Sequence, residues 1–292
     1  MMNIKAKTLF ITATYLFLTL VKANHLCVKN GSNKSDAYFD RGIDFTRYFT
    51  YREGTLPIII SITHGGTIEF EEFDFYNDRG YESHVIDIGN EIDGLFMENT
   101  GKRPYIVFNK IHPNRYKMNV SHNPPNSPAY EDPDVAPVYD FHRDILQQYR
   151  VQIREQWNGV GLMLELHGFS IGNPENLVIR GTRNKRSIEK MLMTFGDDAL
   201  VGPKSFFGVL DAAGIDVEPD INDPNAPETR YTGGNLTKVS GSDQATGIDT
   251  NQIEISRDLR NDINQIAFDV YTGLLSHFTA YIDTISADGF EG

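Results

Sequence analysis

The chain has 292 residues, a formal net charge of −13 and a pI near 5.0, and is long enough to bury a sizeable core in one α/β domain. So acidic a chain repels phosphate backbones, which excludes nucleic acid as a partner. Its single cysteine, Cys27, excludes an intrachain disulfide, so the fold must hold through its core, with a metal as a further support.

The N-terminus reads as an address. Lys5 and Lys7 precede an apolar run, Thr8 to Val21, and the small residues Val21 and Ala23 suit cleavage before Asn24. This is the pattern of a secretory signal peptide over 1–23, which predicts a secreted protein with no membrane attachment after cleavage. The sequons at Asn30, Asn33, Asn119 and Asn235 fit that route and predict a glycoprotein, with Asn119 expected to stay unmodified because a glycan there would block the pocket. Residues 24–54 are polar and aromatic without clear periodicity, and read as an N-terminal extension lying on a single domain over 55–292.

Within that domain, short β-branched runs predict buried strands at Leu56–Thr63, Tyr105–Asn109, Val160–Leu166, Asn176–Gly181 and Thr250–Ser256. Helical patterns fall between them: residues 90–101, closed by a glycine; 138–157, with Val138, Phe141, Ile145, Tyr149 and Ile153 on one face; and 186–200. A last helix from Asp258 carries Leu259, Ile263, Ile266, Val270, Leu274, Phe278 and Tyr281 as one stripe. Strands alternating with helices predict a three-layer α/β/α sandwich around a mixed, largely buried sheet. The Pro-rich stretch Asn119–Pro137 is long enough for a functional lid.

"LMLELHGFSIG", Leu162 to Gly172, offers two chemistries. The segment G-x-S-x-G would present Ser170 as a nucleophile, but that motif needs a helix straight after the serine, and here Asn-Pro follows and a strand-like run returns. The only later histidine is His277, in the middle of the last helix rather than on a loop. The other reading is a metal site. His64 follows one buried strand and His167 closes another, and the crevice outside strand carboxyl ends is where α/β sheets bind ligands. Catalytic zinc takes three protein ligands and leaves a position open. The third should be a carboxylate, for which Glu69, Asp87 and Glu91 are candidates. Glu165, two residues before His167 on the same strand face, is placed to orient that histidine.

Several segments, taken in order, resemble the N-formylglutamate amidohydrolase family: "ISITHGGTIE", "DIGNEIDGLF", "GKRPYIVFNKIHPNRYKMN", "YDFH", "LMLELHG" and "TGGN…NQIEISRDLR". The resemblance spans residues 56 to 282. It implies a zinc-exopeptidase-like (phosphorylase/hydrolase-like) fold, Zn²⁺ as cofactor, and His64 and His167 as ligands, with Asp87 slightly ahead of Glu69 as the third and Glu91 behind. It also implies Glu254, in "QIEI", as the general base that takes a proton from water and returns it to the leaving amine. The implied substrate is an N-acyl amino acid or a small peptide-like amide. Arg115, Asn119, Lys110, His142 and Arg180 are the candidate substrate contacts, with Arg183 beside them. One departure matters: Val120 stands where the family has an arginine, so the clamp for an acidic substrate is altered. Two other classes stay open: an inactive secreted binding protein on the same fold, and a serine hydrolase using Ser170.

Overall fold

The computed structural model describes residues 43–71, 81–113, 135–170 and 176–283. The chain divides into two compact units, residues 1–43 and 44–292, and the description below concerns the second. The expected signal peptide and most of the expected extension lie outside the described residues, as do Arg115, Asn119 and the Pro-rich stretch up to residue 134. Among the described residues, no helix is long and apolar enough to cross a membrane.

The unit is a seven-stranded mixed sheet flanked by helices. Its strands are β1 (Phe49–Arg52), β2 (Ile58–Ile62), β3 (Tyr105–Asn109), β4 (Leu162–Phe169), β5 (Leu177–Gly181), β6 (Asp216–Glu218) and β7 (Asp249–Ser256), in the spatial order β1-β3-β2-β4-β7-β5-β6. The four central strands β3, β2, β4 and β7 run parallel. β1 pairs antiparallel with β3 at one side, and β5 antiparallel with β7 at the other. The segment without periodicity therefore contributes an edge strand: β1 buries only Phe49 and leaves the rest half-exposed, so it shows little of the pattern that marks a strand in sequence.

β2, β3 and β4 are joined through α1 (Val85–Thr100) and α2 (Ala136–Gln156), which parallel neighbours require because no tight turn can connect them. Later helices are α3 (Glu189–Phe195), α4 (Asp198–Val201), α5 (Phe206–Ala212), α6 (Asn235–Ser240), α7 (Arg257–Asn261) and α8 (Ile263–His277). The stripe from Asp258 does not lie on one continuous helix. The backbone leaves helical geometry at Asp262 (φ −103°, ψ 79°), whose side chain accepts from Gln265 N at 3.2 Å and starts α8 afresh.

The two faces of the central strands differ. Ile58, Ile60 and Ile62 of β2, Leu162, Leu164 and Leu166 of β4, and Ile253 and Ile255 of β7 share one core with Ile88, Ile92 and Phe96 of α1 and Ile266, Val270 and Leu274 of α8. Burying each such side chain favours the fold by about 1.5–3 kcal/mol. The alternate positions point the other way, and toward the carboxyl ends they turn polar: Glu165 and His167 on β4, Gln252 and Glu254 on β7, all buried. A strand buried on both faces has no reason to hold so many charges for stability alone.

Candidate metal centre

The site gathers at the carboxyl ends of three adjacent strands. β2 delivers His64, just past its end, and β4 delivers His167. Glu254 of β7 is the register partner of His167 and projects from the same face. Two glycines after His64 let the chain turn inward here. A Cβ at Gly66 would lie 2.3 Å from the carbonyl carbon of Lys110 and from Ile111 O, so only glycine lets the two loops touch.

Into this corner comes Glu82, from the segment that leads into α1. One of its carboxylate oxygens, Oε1, lies 2.9 Å from His64 Nδ1 and 3.3 Å from His167 Nδ1. Its other oxygen accepts from Gly168 N at 3.0 Å. The imidazole rings of His64 and His167 are 4.9 Å apart. One nitrogen from each ring and one Glu82 oxygen all lie within 4.8 Å of one another. Zinc bonds of about 2.0–2.2 Å put tetrahedral ligand atoms roughly 3.3–3.5 Å apart, so these donors, two imidazoles and a carboxylate, are of the type a divalent cation takes and would draw together around one.

The far nitrogen of His167 is also held. Its Nε2 lies 3.1 Å from Glu165 Oε1, and Glu165 Oε2 accepts from Thr237 Oγ1 at 2.9 Å. A carboxylate on the outer nitrogen fixes the ring and its tautomer, leaving Nδ1 to face the cluster. Thus Glu165 sits where its place on the strand predicts.

Charge within the cluster is strongly coupled. Burial works to raise the Glu82 carboxyl, but the charges of His167 and His64 outweigh it and hold the group well below the ordinary carboxylate range. Burial works against a charged His167, yet Glu82, Glu165 and Glu254 raise it well above its ordinary value. Glu254 is pushed up to about 7, chiefly by burial, with Glu82 adding repulsion and His167 pulling the other way. Its Oε1 accepts from Gln252 Nε2 at 2.9 Å, and Gln252 in turn accepts from Gly234 N.

The residue next to Glu82, Ser83, is tied down by Arg260, a fully buried arginine on α7. Its guanidinium donates to Ile255 O (3.0 Å), to Phe169 O (3.1 Å) and to both the carbonyl and the hydroxyl of Ser83. It thereby joins the exits of β7 and β4 to the residue beside Glu82. A Cβ at Gly168 would sit 2.5 Å from the guanidinium carbon, so this glycine makes room for it.

No family model matches the chain, and no curated protein matches it either. Three solved structures are similar over most of it. The gene product Atu2144 from Agrobacterium tumefaciens is 10% identical with a TM-score of 0.40, covering 84% of this chain and 96% of its own. The zinc-free form of YndL is 11% identical with a TM-score of 0.34, covering 83% and 94%. The succinylglutamate desuccinylase from Chromobacterium violaceum is 15% identical with a TM-score of 0.39, covering 77% and 64%.

The remaining sequence candidates divide by position. Asp87 is not in the cluster: its side chain is 60% exposed in the first turn of α1, 3.3 Å from His84 Nδ1, where a carboxylate favours the helix dipole. Glu69 and Glu91 are exposed and also stand outside it. Glu82 stands beside the two histidines, where one of those three was expected. Lys110 donates its ammonium to Thr46 O. Arg180 is turned away from the site. It pairs with Ile253 across the antiparallel β5–β7 ladder, so it shares the apolar face. There it is 1% exposed, 3.5 Å from Glu228 and over the Phe207 ring. Arg183 is held by Asp243 at 2.7 Å. His142 is buried on α2 beside the Phe49 ring, and burial lowers it to about 3. Ser170 directly follows β4, and the Arg260 guanidinium is 3.4 Å from its hydroxyl. His277 lies beside Leu162 and Asp249, the first residues of β4 and β7, and so at the other end of the sheet from Ser170. That separation rules out His277 as the histidine of a triad with Ser170.

Proposed function

We propose that this protein is a metal-dependent hydrolase of amide bonds, with His64, Glu82 and His167 as the ligands and Glu254 as the general base and acid. One observation carries the reading: two imidazole nitrogens and a carboxylate oxygen converge at the carboxyl end of a sheet, with the buried Glu254 carboxyl on the strand alongside. A divalent cation held there, zinc by the choice of donors, would polarise a carbonyl and make water acidic enough to attack near pH 7.

The chain's own groups supply the rest. Glu254, raised to about 7, is matched to taking a proton from water and giving it to a departing amine, since a catalytic acid–base group works best with its pKa near the operating pH. Gln252 holds one of its oxygens and leaves the other for that transfer. Glu165 keeps the His167 ring in one orientation. As substrate class we propose N-acyl amino acids or small peptide-like amides, following the resemblance of the motifs around His64, His167 and Glu254 to the N-formylglutamate amidohydrolases. Export belongs to the same reading, with Lys5, Lys7 and the apolar run 8–21 as its signal. N-terminal sequencing of the mature product should begin at Asn24.

The decisive test combines metal analysis with turnover. The purified chain should hold one zinc and release free amine from a panel of N-acyl amino acids and short peptides. Glu254→Gln should keep the zinc and lose turnover by at least ~100-fold, the scale of a general acid–base group. A chain that binds one zinc and hydrolyses nothing on the panel would instead be a binding protein, and one that binds no metal would end the proposal.

A further inference from the structure

A pocket of about 660 Å³, within the range of small-molecule sites, opens on the β5 side of the metal cluster. One wall is the loop that leaves β5 and carries Arg183 and Arg186. The other is the chain that runs from Thr232 through Gly234 into α6, with Asn235 and Lys238. Arg183 N joins the walls by donating to Thr232 O at 2.6 Å. A Cβ at Gly181 would lie 2.2 Å from Tyr231 O, so a glycine is required where the second wall lies on the end of β5.

The pocket reaches the candidate chemistry through one side chain. Gly234 N, in its wall, donates to Gln252 Oε1, and Gln252 Nε2 donates to Glu254 Oε1 at 2.9 Å. A group bound in the pocket is therefore a short linker away from an amide presented to Glu254. The loop bearing the arginines is held in a costly shape. Arg183, Asn184 and Lys185 are successive left-handed residues, with φ of 55°, 51° and 74°, a conformation that persists where the surroundings enforce it. The buried Glu228 carboxylate does so, accepting from Thr182 N at 2.9 Å and Asn184 N at 2.8 Å.

The charge of the pocket stands out. The chain has 40 acidic against 27 basic side chains, yet three cations line this pocket and, among the described residues, no acid does. Neighbouring cations are matched: Arg180 by Glu228, Lys185 by Asp197 and Arg230 by Glu218. Arg183 is matched by Asp243. Arg186 and Lys238 have no acidic partner among the described residues, so the pocket keeps two uncompensated positive charges. We infer that it receives a carboxylate of the substrate, with Arg186 and Lys238 as the charge partners, and so selects amides that carry an acidic group a few bonds from the one cut. This rests on the hydrolase reading. Neither Arg186 nor Lys238 is among the residues that the family resemblance assigns to substrate. An arginine offers a carboxylate two parallel donors and a lysine a mobile point charge, and neither has to leave a partner to do so. Asn235 heads one of the sequons, so the pocket requires that residue to carry no glycan.

The test uses the full chain as purified, with two arms. In the first, equilibrium dialysis compares glutarate with glutaramide, which keeps the shape and removes the charge. One glutarate should bind per chain, at least about tenfold tighter than glutaramide, as charge-assisted contacts warrant. In the second, N-acetylglutamate is compared with its two monoamides and its diamide. One monoamide, and the diamide with it, should lose at least about tenfold in kcat/KM, mainly through KM. In Arg186→Gln/Lys238→Gln both preferences should fall below about twofold, since the charged contacts are gone; both side chains are exposed, so the double variant should fold. Glutarate binding through Arg186 and Lys238 without any turnover would refute the hydrolase reading and not the anion site. Turnover of all four amides alike would do the reverse. The inference is also overturned if glutaramide binds as well as glutarate, if the preference survives in the double variant, if inorganic phosphate displaces glutarate at an equal concentration, or if Asn235 of the exported product carries a glycan.

Discussion

Replacing Arg260 by methionine tests how the metal cluster is held together. Methionine is similar in length and apolar, so it removes the guanidinium while filling much of its space. Three carbonyl acceptors lose their donor: Ile255 O, Phe169 O and Ser83 O. A buried acceptor left unsatisfied costs about 1–3 kcal/mol. Water can reach the half-buried Ser83, so the total falls at about 2–6 kcal/mol, a large share of the 5–15 kcal/mol that holds an ordinary domain together. The second consequence is local. With Ser83 released, Glu82 loses its fixed approach to His64 and His167. Metal affinity should fall by roughly 10–100-fold, as it does when a group that positions a ligand is removed. Urea denaturation of the metal-free chain measures the first effect, and zinc titration against a competing chelator the second. Arg260→Lys should recover part of the stability and little of the affinity, because an ammonium cannot span the exits of both strands. If Arg260→Met costs less than about 1 kcal/mol and binds zinc as the parent chain does, the arginine is not what positions Glu82.

Glu82→Ala should abolish stoichiometric zinc binding, whereas Asp87→Asn should leave it intact; metal analysis after desalting separates the two. Gly66→Ala places a methyl against the backbone of Lys110 and Ile111, so it should cost about 1–3 kcal/mol through overpacking and weaken zinc binding by moving His64. His277 gives a pH prediction. Its folded pKa is depressed to about 4 from an ordinary value near 6.5, so the unfolded chain binds a proton that the folded chain refuses. Stability should therefore be unaffected by this group above pH 6.5 and fall by up to about 1.4 kcal/mol per pH unit on going down toward 4. Asp249, raised to about 6 by burial, acts in the opposite sense over the same range. The difference in unfolding free energy between the parent and His277→Phe isolates the histidine, and a difference that stays flat between pH 7 and 4 would contradict its neutral burial.

Much of the site could be read from local pattern. His64 and His167 each follow or close an apolar β-branched run, and a strand's carboxyl end is visible in sequence without knowing its neighbours; Glu254, inside its strand, was named through the resemblance of "QIEI" to the N-formylglutamate amidohydrolases. Glu165 was legible for the same reason, since period two places it on the face of His167. Glu82 was not. It lies in irregular chain, in no motif, and reaches the cluster only because Arg260, far along the sequence, holds the residue beside it. The weak signal was an acid just ahead of a helix start, and Asp87 offered the same signal more conventionally. Arg180 shows a different limit. Whether a strand residue faces the site depends on which strand it pairs with and in which direction, and the antiparallel insertion of β5 beside β7 turned Arg180 to the apolar side. β1 escaped notice because an edge strand buried on little more than one residue carries no alternation to detect.

The Arg260 tie also dictates when the centre can come into being. One histidine arrives with the second strand, yet the residue that fastens Glu82 beside it comes after the seventh. Until the carboxyl-terminal third has docked, an early imidazole can meet a passing cation but has no finished cage to keep it in. Capture of an ion would therefore report that the last strand and its following helix are in place, and a nascent or clipped chain lacking them would have no such report to give.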